Sequence, residues 1–210
     1  MMTRGLLRGA TVSSITSAVA LVSGAMSVAL ISLPAMARDR DSNNNSNNAD
    51  RLAFGLVKIF SFSGSLVNPP EVIGIFPEGL RANFYFAPGG IITGSNLNGK
   101  VNAVGGDWLT LRADGVGLVD VRTTFQSNDG AVISIDYTGR GEFGPNGLQD
   151  FLNGTLPRYI PLQSTINFRT ADPRYAWLNR IKGIAVGEVD LATLSVRYNV
   201  YQIVLQDSGH

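Results

Sequence analysis

Period-two alternation on both sides of one turn constrains this chain more than any other feature of its sequence. In the stretch from Gly105 to Arg140, six apolar side chains lie at odd positions on either side of Asn128-Asp129-Gly130, and the even positions hold Asp120, Arg122, Thr124, Ser134, Asp136, Thr138 and Arg140. The apolar set is Val119, Val121, Phe125, Ile133, Ile135 and Tyr137. This period is typical of half-buried strands and not of a helix. Gly takes positive φ freely and Asn or Asp tolerates it, so the tripeptide predicts a β-hairpin.

The length of the hairpin loop determines which side chains face each other. A three-residue loop over Asn128–Gly130 pairs Ser127 with Ala131 and keeps apolar residues opposite apolar ones. A two- or four-residue loop would put apolar side chains on the charged face. We therefore predict the three-residue loop. Its register is Arg122 opposite Asp136 and Asp120 opposite Thr138.

The first 37 residues have the three parts of a secretory signal peptide. Arg4 and Arg8 supply the positive start, Ala18 to Leu33 is apolar, and Ala35-Met36-Ala37 is the small-x-small pattern that signal peptidase reads. We expect cleavage after Ala37 and export to the periplasm or outside the cell. An uncleaved membrane anchor is the alternative, because the apolar run is almost long enough to span a bilayer.

Residues 38–51 are dominated by Asn and Ser and contain Ala49 as their one apolar residue. Such a segment buries too little surface to offset its ordering entropy, so we expect a disordered leader. The folded domain is then residues 52–207. Since the chain has no cysteine, an exported domain must be held together by its core alone.

The charge balance and the scarcity of histidine exclude several function classes. Without the signal, fifteen Lys and Arg side chains oppose sixteen Asp and Glu side chains. This balance provides no excess of positive charge that would attract nucleic acid or an anionic membrane surface. We therefore expect no nucleic-acid partner and no stable membrane insertion after cleavage. The one histidine is His210, which argues against a Ser-His-Asp triad or an imidazole-ligated metal. We expect no cofactor, and any chemistry would belong to Asp, Glu, Tyr, Arg, Lys or Ser.

Short strand-like segments separated by Gly, Pro and Asn turns follow one another along residues 52–205. Helical candidates are limited to Leu148–Leu152 and Arg174–Asn179, and the second has Asp172 as N-cap followed by Pro173. We predict an all-β fold: a closed antiparallel β-barrel of about nine or ten strands with one or two short helical turns, because closure leaves no unpaired edge.

The charged face of the hairpin has two interpretations. In the first, the apolar side chains form the core, and Asp120, Arg122, Asp136 and Arg140 lie in water as cross-strand pairs worth a few tenths of a kcal/mol each. In the second, the charges line the lumen of a ligand-holding barrel. Asp120 or Asp136 would then transfer protons, with a pKa raised by burial or a like-charged neighbour. Arg122 and Arg140 would hold a carboxylate or a developing enolate.

Five further residues are candidates for substrate binding: Asp107, Trp108, Tyr137, Tyr175 and Trp177. The tryptophans and Tyr175 would form walls, although such side chains more often belong to a core or its rim. Tyr137 has odd parity and would need a bulge to join the charged face. Asp107 follows two glycines, so it either binds substrate or caps a turn.

The same part of the chain also carries a family resemblance. The residues that carry this resemblance are Gly106-Asp107-Trp108, Arg112, Asp114-Gly115, Asp120-x-Arg122, Asp129-Gly130, Gly139, Phe168-Arg169-Thr170, Asp172 to Asn179, Gly187 and Tyr201. With this spacing, residues 52–205 resemble domain of unknown function 3237, a family of uncharacterised small antiparallel β-barrel proteins. Where that family often has an aromatic residue after the Arg of the Asp-x-Arg pair, this chain has Thr123. The resemblance implies a barrel with a central cavity, and it implies no established reaction.

These observations lead to two functional hypotheses. The first is an exported barrel that takes a small, partly apolar organic molecule into its lumen and acts as a cofactor-free isomerase, cyclase or lyase. Its residues can move protons but include no strong nucleophile. The second is a non-catalytic periplasmic binding or carrier barrel. The sequence predicts neither the ligand nor the oligomeric state.

Overall fold

The computed structural model describes residues 52–207, so the predicted signal peptide and leader lie outside the described residues. The elements are β1 (Leu52–Leu66), β2 (Glu71–Phe76), β3 (Gly79–Gly94), β4 (Gly99–Val101), β5 (Gly106–Leu111), β6 (Val116–Ser127), β7 (Val132–Glu142), α1 (Gly147–Asn153), β8 (Tyr159–Arg169), a 3-10 helix (Pro173–Arg180), β9 (Gly183–Asp190) and β10 (Ser195–Asp207). Within this part of the chain, neither helical segment is long and apolar enough to cross a bilayer.

The strands form one antiparallel sheet that closes on itself. Neighbours around the ring are β1, β10, β9, β8, β7 and β6, after which β4 and β5 both connect β6 to β3. The ring closes where β3 returns to β1, with Phe60 opposite Gly94 and Leu66 opposite Phe86. Strand β2 pairs with β3 at the side of the ring. The predicted antiparallel barrel is confirmed.

The central hairpin, β6 and β7, has the predicted register. Asp120 pairs with Thr138 and Arg122 with Asp136. The Ser127 N–H donates to Ala131 O at 2.9 Å, which closes the three-residue loop. Because the loop length matches the side-chain period, the six apolar residues of the predicted set stay on one face, whereas Leu118 and Val132 lie on the other.

The apolar face of the hairpin points into the barrel. Val121 is 2% exposed and Ile135 is 1% exposed, whereas the Arg122 side chain on the other face is 64% exposed. The interpretation in which the charged face lines the lumen is therefore wrong. Burial of apolar surface contributes about 25 cal/mol per Å², whereas burying carboxylates and guanidiniums costs several kcal/mol per ion. The apolar side of an alternating hairpin is therefore the side that faces inward.

Both predicted helical turns are present. The Asp172 side chain accepts a hydrogen bond from the Arg174 N–H at 3.0 Å, with Pro173 at the first helical position, and this cap starts the 3-10 helix. Helix α1 ends at Gly154, whose φ of 68° is the left-handed conformation that suits a C-terminal glycine.

The two ends of the barrel differ in how they are filled. At the packed end, next to the 127–131 turn and the 3-10 helix, the rings of Phe125 and Phe168 each lie edge-on to Phe60, with centroids 6.1 and 5.9 Å apart. Leu178 of the 3-10 helix is fully buried there. At the cavity end, next to α1 and the segment that follows it, the lumen retains an internal space.

Candidate functional site

Asp107 of β5 faces the lumen at the cavity end. It pairs with Phe84 of β3 on one side and with Val121 of β6 on the other, and both neighbours are buried apolar residues. Residues that pair directly across strands share a face of the sheet. Asp107 is therefore a carboxylate among inward-facing apolar side chains.

A gap in the β5–β6 ladder provides a backbone donor for Asp107. The two strands pair at Asp107–Val121 and again at Thr110–Leu118, with no ladder pair between. In this gap the Asp120 N–H donates to Asp107 Oδ1 at 2.9 Å. The bond fixes the carboxylate in place and satisfies a backbone donor that the ladder leaves free.

The space beside Asp107 is a cavity of about 50 Å³ with largely apolar walls. Its polar members are Asp107, Tyr137 and Tyr198. The apolar members are Leu66, Phe84, Phe86, Leu109, Val119, Val121, Phe143, Phe151, Leu156, Leu162, Val189, Leu191 and Val196. No Lys or Arg belongs to this wall within the described part of the chain.

Two buried tyrosines supply the other polar groups of the wall. Tyr137 of β7 is 2% exposed and Tyr198 of β10 is 3% exposed. Their rings meet edge to face with centroids 5.6 Å apart. Burial raises the pKa of both phenols, and the negative charge of Asp107 raises them further. Both hydroxyls are therefore neutral donors at physiological pH.

Burial raises the pKa of Asp107 to about 7. The hydrogen bond from the Asp120 N–H opposes this shift, the charge of Asp120 adds to it, and the charge of Arg81 opposes it. The Asp107 side chain keeps some accessible surface and borders the cavity. A carboxyl group with a pKa near neutrality can both release and accept a proton, as general acid–base catalysis requires.

Ser164 of β8 lies beside this site. Its hydroxyl is buried and lacks a hydrogen-bond partner of good geometry. It is nevertheless near enough to oppose the rise in the pKa of the Tyr198 phenol. Gly139, the residue that pairs with Ser164, makes room for it: a Cβ at position 139 would lie 2.1 Å from Ser164 Oγ. Any larger residue at position 139 would displace this hydroxyl.

The model of proteins of unknown function DUF3237 matches residues 55–203, which is more than half of the chain. The chain belongs to the DUF3237 family. A relative from Rhodopseudomonas palustris (strain TIE-1), named UPF0311 protein, is 27% identical over 119 residues, covering 55% of this chain and 76% of the relative. Another UPF0311 protein, from Bradyrhizobium diazoefficiens, is 31% identical over 93 residues, covering 43% and 60%.

Solved structures show the same fold. A crystal structure described as a beta-barrel like protein from Acinetobacter baumannii AYE has a TM-score of 0.61 at 24% identity, covering 72% of this chain and 97% of that one. A protein with unknown function from Clostridium acetobutylicum has a TM-score of 0.64 at 22% identity, covering 72% and 100%. At these identities the likeness supports a barrel for this DUF3237 protein and carries no statement about its chemistry.

The structure places the predicted proton-transferring residues on the outer face. Asp120 is partly exposed and forms an ion pair with Arg122 at 3.3 Å. Asp136 accepts hydrogen bonds from Asn167 Nδ2 at 2.6 Å and Arg169 Nη1 at 2.5 Å. Burial acts to raise the pKa of Asp136, but these two bonds outweigh it and the pKa is lowered. The expectation of a raised pKa at Asp136 is therefore wrong.

The predicted binding arginines and Trp108 also lie outside the lumen. Arg140 is exposed, and its guanidinium donates to Gly139 O at 2.9 Å. Trp108 points outward from β5, where its ring lies 5.8 Å from the Arg122 guanidinium carbon. The outer charged face thus carries one ion pair within β6, one ion pair between β7 and β8, and an aromatic neighbour.

Tyr175 and Trp177 lie at the packed end, away from Asp107. The Tyr175 hydroxyl donates to Asp129 Oδ1 at 3.0 Å, which ties the 3-10 helix to the hairpin turn. Trp177 packs against the core as a partly buried side chain. Of the predicted site residues, Asp107 and Tyr137 are therefore the two that meet at the cavity.

Tyr198 and Ser164 were not predicted as site residues, although the alternation contains a signal for both. Each occupies an inward position in a strand whose other inward residues are mostly apolar, such as Val196 and Val200 around Tyr198. A polar residue in an apolar row is an anomaly that sequence alone can detect. Within residues 52–207, no cluster of His, Cys, Asp or Glu side chains is suited to hold a metal ion.

Proposed function

We propose that this DUF3237 barrel binds a small, partly apolar organic molecule in the cavity beside Asp107 and transfers a proton to or from it. The observation that carries the proposal is the largely buried Asp107 carboxyl, which has a pKa of about 7 in an otherwise largely apolar cavity. Carboxyl groups with strongly perturbed pKa values in concave sites are candidates for catalysis.

The chemistry that fits these groups is a proton shift next to an oxygen-bearing carbon. Ionised Asp107 would remove a proton from the substrate, and the Tyr137 and Tyr198 hydroxyls would donate to the oxygen on which negative charge develops. Asp107 would then return the same proton to a different atom, which gives an isomerisation. The same carboxylate could serve a cyclisation or an elimination, and none of these steps requires a cofactor.

A substrate must first open the cavity. A volume of about 50 Å³ holds a few water molecules, whereas organic ligands occupy several hundred Å³. The cover is Phe151 of α1 and Leu156 of the following segment, and both are only partly buried. We propose that these two side chains move outward to admit the ligand, because neither belongs to a strand of the hydrogen-bonded sheet.

A non-catalytic carrier barrel is the second candidate. The closed cover over a small apolar space favours it, since a carrier must shield its ligand from water. For either candidate we propose export by way of residues 1–37, with a small molecule as the partner. Export would be checked by mass spectrometry of the mature N-terminus, which should begin at Arg38.

The experiment that separates the two candidates uses Asp107→Asn. The small molecule that copurifies with the protein is identified by mass spectrometry and then added back to the wild type and the variant. For an enzyme, the variant should bind this molecule with similar affinity but convert it at least about 100-fold more slowly. If neither protein converts it and only the affinity changes, the barrel is a carrier. If nothing copurifies and no small molecule raises the melting temperature, both candidates fail.

A further inference from the structure

We infer that the cavity selects an uncharged ring compound bearing a hydrogen-bond acceptor, such as a carbonyl oxygen, and rejects organic anions; this inference rests on the proposed function. It follows from three properties of the wall, which are the sign of its charges, its hydrogen-bond donors and its shape.

The wall has no positive charge to receive an anion. Arg81 comes nearest to Asp107 electrostatically, and it lies on the outer face of β3, where its guanidinium donates to Trp108 O at 3.0 Å. The other Lys and Arg residues between 54 and 205 are exposed. An anion in the cavity would therefore lose its hydration without a counter-charge, and it would be repelled by Asp107.

The donors on the wall are arranged for a neutral acceptor. Tyr137 and Tyr198 both border the cavity, and their rings meet with centroids 5.6 Å apart. The Tyr198 ring is also stacked on Phe62, with centroids 5.1 Å apart, so that its orientation is fixed. A carbonyl oxygen has two lone pairs and can accept from both hydroxyls.

The remaining wall is suited to a planar ring. Phe84, Phe86, Phe143 and Phe151 all border the cavity. Phe143 is held over Gly117 and Gly141, because Cβ atoms at those positions would lie 2.5 and 3.0 Å from its Cε2 atom. Aromatic side chains pack against rings by offset stacking or edge-to-face contact.

This inference reverses an expectation from the sequence, in which Arg122 and Arg140 hold a carboxylate. Both guanidiniums are on the outer surface, so a carboxylate in the lumen would meet neither. The ligand is therefore recognised by neutral donors and apolar contact, and not by an ion pair.

The test compares three probes of similar size at pH 8 by calorimetry: acetophenone, ethylbenzene and benzoate. Acetophenone carries the acceptor, ethylbenzene lacks it, and benzoate carries the charge. We expect acetophenone to bind about tenfold more tightly than ethylbenzene and at least about 100-fold more tightly than benzoate. Asp107→Asn removes the repelling charge and should reduce the ratio of acetophenone to benzoate affinity at least about tenfold. The control Asp136→Asn, on the outer face, should leave this ratio unchanged.

Tighter or equal binding of benzoate would overturn the inference while leaving small-molecule binding in the barrel intact. An acetophenone-to-benzoate ratio that is the same in wild type and Asp107→Asn would also overturn it. If none of the three probes binds the wild type, and none binds Phe151→Ala, whose cover is reduced, the proposed function fails together with the inference.

Discussion

The packed end and the cavity end of this barrel are built from the same strands but are filled differently. At the packed end, β6 and β7 contribute Phe125 and Ile133, both 0% exposed, and the 3-10 helix closes the lumen with Leu178. At the cavity end, the same two strands run past Tyr137 and Val119 to an internal space that Asp107 borders. In our proposal, stability and ligand binding therefore depend on opposite ends of one core.

The polar groups of the two ends follow the same division. At the packed end, Asp129 accepts hydrogen bonds from the Ser127 and Tyr175 hydroxyls, and these bonds lower its pKa. At the cavity end, Asp107 has one backbone donor and a low-dielectric environment, and its pKa is raised to about 7. The first carboxylate holds a turn to a helix, and the second is available to titrate.

The largest expected effect on the free energy of unfolding comes from a substitution at the packed end. Phe125→Ala removes a fully buried ring that contacts Phe60 and Phe62 and should lower the free energy of unfolding by about 3–5 kcal/mol. Phe151→Ala, at the cover of the cavity end, should cost less than about 2 kcal/mol, because Phe151 is only partly buried. Urea unfolding followed by circular dichroism measures both. Equal losses would contradict the division between the two ends.

The second prediction concerns the pH dependence of stability at the cavity end. Asp107 has a higher pKa in the folded chain than in the unfolded chain, so the unfolded state loses this proton first as the pH rises. The stability contributed by protonated Asp107 is complete below pH about 4 and is lost as the pH rises through 7. Integrated over this range, the loss is at most about 4 kcal/mol.

Asp107→Asn should remove this loss. The variant should therefore be more stable than the wild type at pH 8 and should lose that advantage at pH 4, as measured by urea unfolding at both values. Asp136→Asn serves as the control, because the pKa of Asp136 is lowered and its contribution has the opposite sign. A wild type that loses no more stability than Asp107→Asn between pH 4 and pH 8 would count against a buried, titrating Asp107.

A smaller effect is expected at Ser164. Its buried hydroxyl lacks a partner of good geometry, so Ser164→Ala should raise the free energy of unfolding by about 1 kcal/mol. Gly139→Ala is the matched opposite, since its new Cβ would collide with Ser164 Oγ and with Gln163 O. Thermal unfolding compares the two variants. A loss of stability in Ser164→Ala would instead show that this hydroxyl supports the Tyr198 phenol.

The smallest effect is expected on the outer charged face. Asp136→Asn weakens its bond to Arg169, whose side chain is 70% exposed, and should change the free energy of unfolding by less than about 1 kcal/mol. The same variant should leave ligand affinity and any turnover unchanged. A loss of turnover in this variant would indicate that the functional site lies on the outer face of the hairpin.

The strand pattern was predictable because alternation and turn chemistry agree along the hairpin. Asn128-Asp129-Gly130 sets the loop, and Arg122 opposite Asp136 follows from it. The inward direction of the apolar face also follows from the cost of burying charge. The sequence left this choice open, because it contains charged and aromatic residues close together and shows no cavity.

The site itself was only partly predictable. Asp107 lies in a short strand between two glycines and a tryptophan, where a turn cap and a lumen carboxylate have the same sequence pattern. Its role depends on the pairing of β5 with β3 and β6, which places it between Phe84 and Val121. Tyr198 is 61 residues from Tyr137 in the sequence, and the two rings meet because β7 and β10 face each other across the ring. Such contacts form when the sheet closes into a barrel, and no local sequence pattern specifies them.

The most direct test of this account is an NMR titration of the Asp107 side-chain carboxyl in the folded protein, with Asp107→Asn to assign its signal. We predict a pKa of about 7. A value near 4, the ordinary range for a solvated aspartate, would mean that water reaches this carboxyl freely, and it would contradict the assignment of the cavity end as the functional site.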